Sequence, residues 1–324
     1  MKLFILKLSK FILLPVFTLF MIDTLINVYS FDKGLNSSID VKIAELSIIK
    51  DEINIVIAGD SRAERQLIPE IIEKKTGFNT INIAVSNGDL VSTVSEIKKN
   101  YSTSNFVFVI SASSWQINDG AISPGYLSEK CFQKATIFEK VKLYKNDIVG
   151  FTKIYGRLIG EFANAILHVN HKHDGAIIKN KGFLGIEGVF KKMNTKEEIE
   201  QYIKSHRHYS NFVNNGIRWR IFNESIKELD NIASTSIIIQ PPLSPYAKSF
   251  TKNTIIERAE KEYSQKLNTL SFDLKKIIFY DFYSKNEIVM EDSLYYDYYH
   301  LNEKGAVLYS QKIGDLLLEN MSVK

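Results

Sequence analysis

Five short apolar runs follow one another along the chain from residue 54 onward. They are rich in β-branched residues and continuous rather than alternating, which is typical of strands buried on both faces of a sheet. The runs cover residues 54–58, 80–85, 105–111, 236–240 and 276–282. Stretches with apolar residues at helical spacing lie between or after them, at 69–75, 90–100, 251–272 and from 303 onward. The alternation predicts an α/β fold with a mostly parallel five-stranded sheet and helices on both sides.

One connection in this pattern is much longer than the others. Residues 116 to about 230 separate the third run from the fourth, and they contain five of the six histidines and a cluster of glycines at 182, 185 and 188. A connection of this length is too large for a plain loop. We predict a helical insertion at about 116–230 that shapes the mouth of a site.

The N-terminus differs in character from the rest of the chain. Its apolar character runs from Leu8 to Tyr29, which is long enough to cross a hydrocarbon core about 30 Å thick. Lysines 2, 7 and 10 lie at its start, and this charge bias predicts a cytoplasmic N-terminus with the body in the periplasm or outside the cell. The predicted organisation is a membrane segment at 1–30, a stalk at 31–50 and a body at 51–324.

Two other interpretations of the N-terminal segment remain open. The absence of a small-x-small cleavage pattern favours an uncleaved anchor over a removed signal peptide. Asp23 argues against a span, because a carboxylate in the middle of a membrane is unfavourable, but near the outer interface it is tolerable. A buried core helix is the third interpretation.

Composition and charge exclude several classes of protein. The chain is 45% apolar and 24% charged, which is ordinary for a globular protein. Its net charge is +4, and its basic residues are scattered without a dense block, so no nucleic-acid partner is predicted. The single cysteine, Cys131, cannot form an internal disulfide, so the fold depends on its core.

Two short motifs at opposite ends of the body carry the candidate chemistry. Gly59-Asp60-Ser61 follows the first apolar run, and Asp297-x-x-His300 precedes the last helix. A serine becomes a useful nucleophile beside a base that an acid orients. Each motif alone is common, because Asp and Ser are frequent turn residues and a surface Asp–His pair is not unusual. Finding both in one α/β pattern favours a catalytic Ser-His-Asp triad.

The predicted placement of these motifs suits the chemistry. Ser61 follows the carboxyl end of the first strand, where ligands of α/β sheets gather. Free amides of the next helix can stabilise an oxyanion there, and Asp60 is expected to hold the turn by hydrogen bonding to the backbone. The three-residue spacing lets Asp297 meet Nδ1 of His300 while Nε2 faces the serine.

The motifs resemble those of the SGNH/GDSL hydrolase superfamily, whose first block is Gly-Asp-Ser and whose last is Asp-x-x-His. The resemblance covers about residues 52–320, and the phrase at 297–305 is similar to the branch that works outside the membrane on cell-envelope glycans. Alginate O-acetylation proteins and the D-alanine transfer protein of teichoic acids belong to that branch. The resemblance implies a three-layer SGNH-type fold with Ser61 as nucleophile, His300 as base and Asp297 as the residue that orients the base.

The middle blocks of the superfamily match less well. The stretch 82–88 resembles the second block, whose glycine amide lines the oxyanion hole, and Gly88 is the match. The third block normally supplies an asparagine after the third strand, but here no asparagine occurs until Asn118, and Ser113 is the candidate substitute. The predicted oxyanion donors are therefore Ser61, Gly88 and Ser113. Losing one donor reduces transition-state stabilisation by about 3 kcal/mol, which fits a weak hydrolase or a partner-dependent transferase.

Other histidines and aromatic residues have two possible roles. A cluster in the insertion has the side chains of a metal site but no helical frame to align them, so we predict a solvated loop and neither a metal nor a cofactor. It consists of His168, His171, His173 and Asp174. His206 and His208 are predicted to lie on the surface. Several aromatic residues either stack on a sugar ring or pack internally, and for the tyrosines the cleft is favoured: Trp115, Trp219, Tyr295, Tyr296, Tyr298 and Tyr299.

The expected function is acyl transfer to, or ester hydrolysis from, a cell-surface polysaccharide through an acyl-Ser61 intermediate. The expected partners are the glycan, an acyl donor and the membrane. With a single apolar segment the chain cannot move an acyl group across the membrane, so a separate multi-pass membrane acyltransferase would deliver it. Two alternatives remain: a non-catalytic glycan-binding or assembly module that kept Ser61 and His300, and a lipase or thioesterase whose insertion is a lid.

Overall fold

The structure is a computed structural model. It describes residues 54–100, 106–120, 129–145, 151–156, 180–188, 195–206, 209–284 and 291–321, with a few single positions: Phe17, Thr18, Phe20, Met21, Asp23, Thr24, Lys42, Ile148, Val149, Ile159 and Met193.

The described residues form a five-stranded sheet in which each strand runs parallel to its neighbours. The strands in chain order are β1 (Ile55–Gly59), β2 (Thr80–Asn82), β3 (Val107–Ser111), β4 (Thr235–Gln240) and β5 (Ile277–Asp281). The prediction of a parallel α/β sheet is confirmed. The order across the sheet is β2-β1-β3-β4-β5, so the direction of winding reverses between β1 and β3. A reversal of this kind leaves a crevice at the carboxyl ends of the two strands, where ligands bind.

Helices connect the strands. Their bounds are α1 (Ser61–Gln66), α2 (Pro69–Thr76), α3 (Leu90–Asn100), α4 (Glu129–Lys134), α5 (Ile137–Leu143), α6 (Lys196–Ser205), α7 (Ile217–Ile232), α8 (Pro245–Thr251), α9 (Ile255–Asp273) and α10 (Glu303–Met321). The single helix predicted over 251–272 is wrong at its start. The chain breaks between α8 and α9, because Asn253 adopts a positive φ of 62° and the Thr254 side chain caps the amide of Ile256.

The sheet has a core on each face. Successive side chains of a strand point to opposite sides. Val56 and Phe108 pack into one core with α3, α7 and α9, whereas Ile57 and Val109 pack into the other with α1, α2 and α10. All four side chains are fully buried, and burial of each stabilises the fold by about 2 kcal/mol. Helices therefore cover both faces of the sheet.

The segment predicted as an insertion contains α4 to α7 among its described residues. Helix α7 buries Phe222 and Ile226 in the core shared with the sheet. Helices α4 and α5 pack separately, in a smaller cluster centred on Phe132 and Tyr144. This cluster also touches Val91 of α3, so α4 and α5 are attached to the side of the body.

Most of the predicted membrane segment and stalk lies outside the described residues. Within the part of the chain that the structure describes, no helix combines the length and the apolar character that crossing a bilayer requires. Asp23 is described, and it is buried against the insertion. Its carboxylate pairs with Lys140 of α5 and accepts a hydrogen bond of 2.7 Å from the Tyr155 hydroxyl.

Candidate active site

Two glycines create the turn that carries Ser61. Gly59 ends β1 with a φ of +122°, and a Cβ there would overlap the carbonyl oxygen of Ser111 on β3. A Cβ on Gly88 would overlap the carbonyl oxygen of Gly59. Three backbone segments thus meet without side chains between them. This close packing places Ser61, the first residue of α1, at the carboxyl edge between β1 and β3.

The carboxylate of Asp60 fixes this turn, as the sequence predicted. It caps α1 by accepting a hydrogen bond of 3.0 Å from the amide of Arg62. It also accepts hydrogen bonds from the hydroxyls of Ser111, at 3.1 Å, and Ser113. Because both serines lie at the end of β3, Asp60 joins the Ser61 turn to the neighbouring strand. Its role in the site is therefore structural.

The second motif forms a closed loop ahead of α10. An antiparallel bridge joins Tyr295 to Leu301, and the amide of Tyr296 donates a 2.8 Å hydrogen bond to the carbonyl of His300. At the base of the loop, the Asn302 side chain accepts a 3.1 Å hydrogen bond from the amide of Gly305. Asn302 thus caps the start of α10, and the cap fixes the loop to the helix.

Within this loop the aspartate and histidine are held together. Oδ1 of Asp297 accepts hydrogen bonds from the amides of Tyr299, at 2.8 Å, and His300, at 2.7 Å. Oδ2 lies 2.8 Å from Nδ1 of His300. Burial raises the pKa of the Asp297 carboxyl, but the hydrogen bond and charge of His300 and the two amides outweigh this and hold the pKa below its ordinary value. Asp297 is therefore a carboxylate at neutral pH.

Ser61 completes the arrangement, because its Oγ lies 2.9 Å from Nε2 of His300. The carboxylate of Asp297 can only accept, so the ring proton of His300 resides on Nδ1. Nε2 is then an acceptor for the serine proton. The geometry is that of a nucleophile, a base and an orienting acid in hydrogen-bond contact.

The contact between Ser61 and His300 lies at a small cleft. Its volume is about 150 Å³, and Ser61 and His300 lie in its wall. The other lining residues come from the turns after β1 and β3, from the second block, from the end of the insertion and from the loop before α10: Asp60, Arg62, Asn87, Ser113, Trp115, His206, Tyr209 and Tyr299.

The predicted oxyanion donors differ in what they contact. The Gly88 amide donates a 2.8 Å hydrogen bond to the carbonyl of Val85, and the hydroxyl of Ser113 donates to Asp60. Asn87, the residue before Gly88, lines the cleft and has a φ of +61°. Among the described residues, neither the amide of Ser61 nor that of Asn87 donates a hydrogen bond to another group. These two amides are the better candidates for an oxyanion hole.

A buried arginine next to Ser61 was not predicted from the sequence. Arg62 is only 5% exposed, and its Nη2 donates a 2.5 Å hydrogen bond to Ser113. Its Nε lies 3.8 Å from the carboxylate of Asp60. Burial lowers the pKa of Arg62, but the carboxylates of Asp60 and Glu260 outweigh this and raise it. The positive charge is therefore permanent.

Glu260 of α9 is the second unpredicted charge, and it is fully buried. Its carboxylate accepts hydrogen bonds from Tyr209, at 2.7 Å, Ser114, at 2.9 Å, and Gln240, at 2.6 Å. The sequence held one signal for it, since Glu260 occupies an apolar-spaced position of the helix. Together with Asp60 and Arg62 it forms a charged layer close to the cleft.

The prediction that His206 lies on the surface is wrong. His206 lines the cleft, where its ring centroid lies 5.5 Å from that of Tyr299. Its Nδ1 donates a 2.7 Å hydrogen bond to the carbonyl of Tyr202, and burial lowers its pKa, so the ring is neutral. The polar sequence around it gave no sign of this burial. His208 lies outside the described residues.

The aromatic candidates divide between cleft and core. Tyr299 and Trp115 line the cleft. Tyr295 is fully buried in the core beside α10, and Tyr298 packs on Phe250 with ring centroids 5.2 Å apart. Trp219 lies on α7 with Nζ of Lys266 4.4 Å from its ring centroid, away from the cleft residues. The expectation that the tyrosines line the cleft therefore holds for Tyr299.

The histidine cluster of the insertion lies outside the described residues. In the part of the chain that is described, no three His, Cys, Asp or Glu side chains are grouped as metal ligands. Compared with known proteins, the chain matches no family model and no curated protein.

Proposed function

We propose that this protein is a serine-dependent esterase or O-acyltransferase of the SGNH type that acts on a cell-surface polysaccharide. The observation that supports this most strongly is the contact of Ser61 Oγ with His300 Nε2 at 2.9 Å, with Asp297 2.8 Å from the other ring nitrogen. These contacts join residues 239 positions apart in the chain. Other hydrogen bonds of this fold span similar separations, so the support comes from the order of the three groups, in which the histidine contacts the serine with one ring nitrogen and the carboxylate with the other.

In the first half-reaction, Ser61 Oγ attacks the carbonyl carbon of an acyl donor while His300 Nε2 takes the hydroxyl proton. The resulting imidazolium is stabilised by the Asp297 carboxylate. The negative oxygen of the tetrahedral intermediate accepts hydrogen bonds from the amides of Ser61 and Asn87. The intermediate collapses, His300 returns the proton to the leaving oxygen, and the acyl group stays on Ser61 as an ester.

In the second half-reaction the acceptor decides between the two activities. His300 removes a proton from water or from a sugar hydroxyl, and the oxygen of that acceptor attacks the acyl-Ser61 carbonyl. The bond from the acyl carbon to Ser61 Oγ then breaks, and His300 returns the proton to Oγ. Water yields a carboxylic acid, and a sugar hydroxyl yields an acylated glycan. Tyr299 and Trp115 in the cleft wall offer aromatic faces of the kind that contact sugar rings. They are the described residues that best support a glycan as acceptor or donor.

The size of the cleft favours a short acyl group. Its volume of about 150 Å³ is below the range of about 300–1,000 Å³ in which drug-sized ligands bind. An acetyl group or a similar short chain fits such a space, whereas a long acyl chain needs a longer tunnel. Among the described residues, the lining of this cleft therefore supports a short acyl group more than a long one.

The proposed setting follows from the N-terminal segment. A body held outside the membrane by residues 8–29 would meet envelope glycans, and a multi-pass membrane acyltransferase would deliver the acyl group if the reaction is a transfer. Nucleic acid has no place in this proposal. A second candidate function is a glycan-binding module without catalysis, which is favoured by the hydrogen bonds that occupy the Gly88 amide and the Ser113 hydroxyl.

The test uses the purified full-length protein in detergent. We expect it to hydrolyse p-nitrophenyl acetate faster than p-nitrophenyl octanoate, and Ser61→Ala to abolish both activities. Ser249→Ala, which removes an exposed hydroxyl on α8, serves as the matched control and should retain full activity. Mass spectrometry of added oligosaccharides distinguishes transfer from hydrolysis. Equal rates for wild type and Ser61→Ala, with both folded, would support the binding module instead.

A further inference from the structure

The exposed apolar side chains are concentrated in one part of the protein. Among the described residues, thirteen large apolar side chains are exposed, and eight of them belong to the N-terminal segment or to residues 138–159. We call these eight the apolar patch: Phe17, Phe20, Met21, Phe138, Val141, Ile148, Val149 and Ile159. Phe138 is 84% exposed and Ile148 is 75% exposed. Single exposed apolar residues are ordinary, but a concentration of this kind indicates an interaction surface.

Polar contacts hold the segments of the patch together. Asp23 of the N-terminal segment pairs with Lys140 of α5 and accepts a hydrogen bond from the Tyr155 hydroxyl. Nζ of Lys140 also lies 4.8 Å from the ring centroid of Phe132, and that ring packs on Tyr155 at 5.2 Å. The N-terminal segment, α4, α5 and residues 151–156 therefore meet around one buried charged group.

Two stretches expose apolar side chains next to a buried charged residue. Phe17, Phe20 and Met21 have the i, i+3, i+4 spacing of one helical face, and they are exposed while Asp23 is buried. In α5, Phe138 and Val141 are exposed three residues apart, while Lys140 between them is buried. A soluble helix turns its apolar stripe inward and its charges outward. The burial of Asp23 and Lys140 beside these exposed apolar side chains suits contact with lipid.

Basic residues surround the apolar side chains of the insertion. Lys142, Lys145 and Lys153 are all exposed. Lysines that flank an apolar face reach the headgroup layer of a membrane while their stems contact its acyl boundary. Anionic lipids attract such residues further. The charge pattern fits a lipid surface better than it fits a second copy of the same basic face.

We propose that the apolar patch lies on a lipid bilayer, with Phe138 and Val141 of α5 and with Ile148, Val149 and Ile159 in the interface of the same membrane that the N-terminal segment enters. The sequence supports this occupant, because the segment from Leu8 to Tyr29 is long enough to span a bilayer and Asp23 lies toward its outer end. Lys140 then offsets the unfavourable carboxylate at the membrane boundary. The body is thereby fixed against the membrane rather than free on a stalk. This inference does not rest on the chemistry of Ser61.

The test places a fluorophore on the patch of the full-length protein. Phe138→Cys and Ile148→Cys are labelled with bimane and reconstituted into phosphatidylcholine–phosphatidylglycerol vesicles, with and without doxyl-labelled lipid. Cys131 does not interfere, because it is buried and its pKa is raised by burial to about 12. Phe272→Cys is the matched control, since Phe272 is 91% exposed on α9 outside the patch.

We expect doxyl lipid to lower the emission at positions 138 and 148 by about twofold or more, as for groups that enter the acyl boundary, and to leave position 272 unchanged. Emission at 138 and 148 as insensitive as at 272, or failure of the protein to float with the vesicles, would overturn the inference. So would emission that responds to protein density instead of doxyl lipid, which would assign the patch to a second copy. Labelling of Ser61 by a fluorophosphonate, measured on the same samples, reports separately on the proposed function.

Discussion

Arg62 donates a hydrogen bond of 2.5 Å to the hydroxyl of Ser113, so the turn after β1 is joined to the end of β3 by a buried charge. Asp60 makes a second connection between the same two segments. Ser61 lies between these two residues in the chain. The position of Ser61 therefore depends on a buried ion pair formed by the residues directly before and after it.

The first prediction concerns this pair. Arg62→Met leaves the carboxylate of Asp60 buried without its counter-charge, and removing one partner of a buried pair destabilises a protein by about 3–5 kcal/mol. Arg258→Met is the control, because Arg258 is half-exposed and its pair with Glu262, at 3.7 Å, is worth about 0–1 kcal/mol. Urea unfolding measures both. Equal losses of unfolding free energy in the two variants would show that Arg62 has no special role.

The second prediction compares the effects of substitutions at Asn87 and at Gly88. Asn87→Gly keeps the backbone amide and suits the positive φ, so activity toward an acetyl ester should remain within about threefold of wild type. Gly88→Ala puts a Cβ against the carbonyl oxygen of Gly59, and overpacking of this kind destabilises by about 1–3 kcal/mol. If Asn87→Gly instead lowers kcat by about 10²-fold or more, the side chain and not the amide is the oxyanion donor.

The third prediction concerns the acid of the triad. Asp297→Asn retains the size of the side chain but can stabilise neither the Nδ1 proton nor the imidazolium, so kcat should fall by about 10⁴-fold. Glu303→Gln removes an exposed carboxylate three residues after His300 and should leave kcat unchanged. Steady-state kinetics with p-nitrophenyl acetate compares the two. A loss below about tenfold in Asp297→Asn would mean that another group orients His300.

The fourth prediction is the pH dependence that the Asp297 carboxylate gives to stability. Its pKa is held below the ordinary value in the folded state, so the stabilisation is complete above about pH 4, the range of an unfolded Asp. It is lost as the pH falls through the lower folded-state pKa. The difference in unfolding free energy between wild type and Asp297→Asn should therefore be present at about pH 5 and shrink as the pH falls below about 4. A difference that does not change with pH would contradict this assignment.

The sheet was predictable because buried parallel strands consist of continuous β-branched runs, such as 107–111, that no other element imitates at that length. The contacts of His300 with Ser61 and Asp297 were predictable because the two motifs that carry these residues are each local in sequence. The start of α9 was not predictable in this way. A single capping residue, Thr254, determines that the helix begins at Ile255 and not at 251.

The rest of the site depends on contacts between distant residues. Glu260 meets Ser114, which is 146 positions earlier in the chain, and no local pattern specifies that contact. His206 lies half-buried in the cleft for the same reason, since its ring contacts Tyr299, which is 93 positions later in the chain. The choice between Gly88 and Asn87 depends on the direction of single amides, which the positive φ of Asn87 sets. The motif alone therefore does not specify which of these two amides faces the cleft.

The most direct test of the account is whether Ser61 is an activated nucleophile. Full-length protein is treated with a fluorophosphonate at neutral pH, and the modified peptide is identified by mass spectrometry. We predict one adduct, on Ser61, that forms in wild type and in Ser249→Ala but not in Ser61→Ala, and forms far more slowly in His300→Ala. Folded wild-type protein that acquires no adduct, or acquires one equally in His300→Ala, would contradict the claim that His300 activates Ser61.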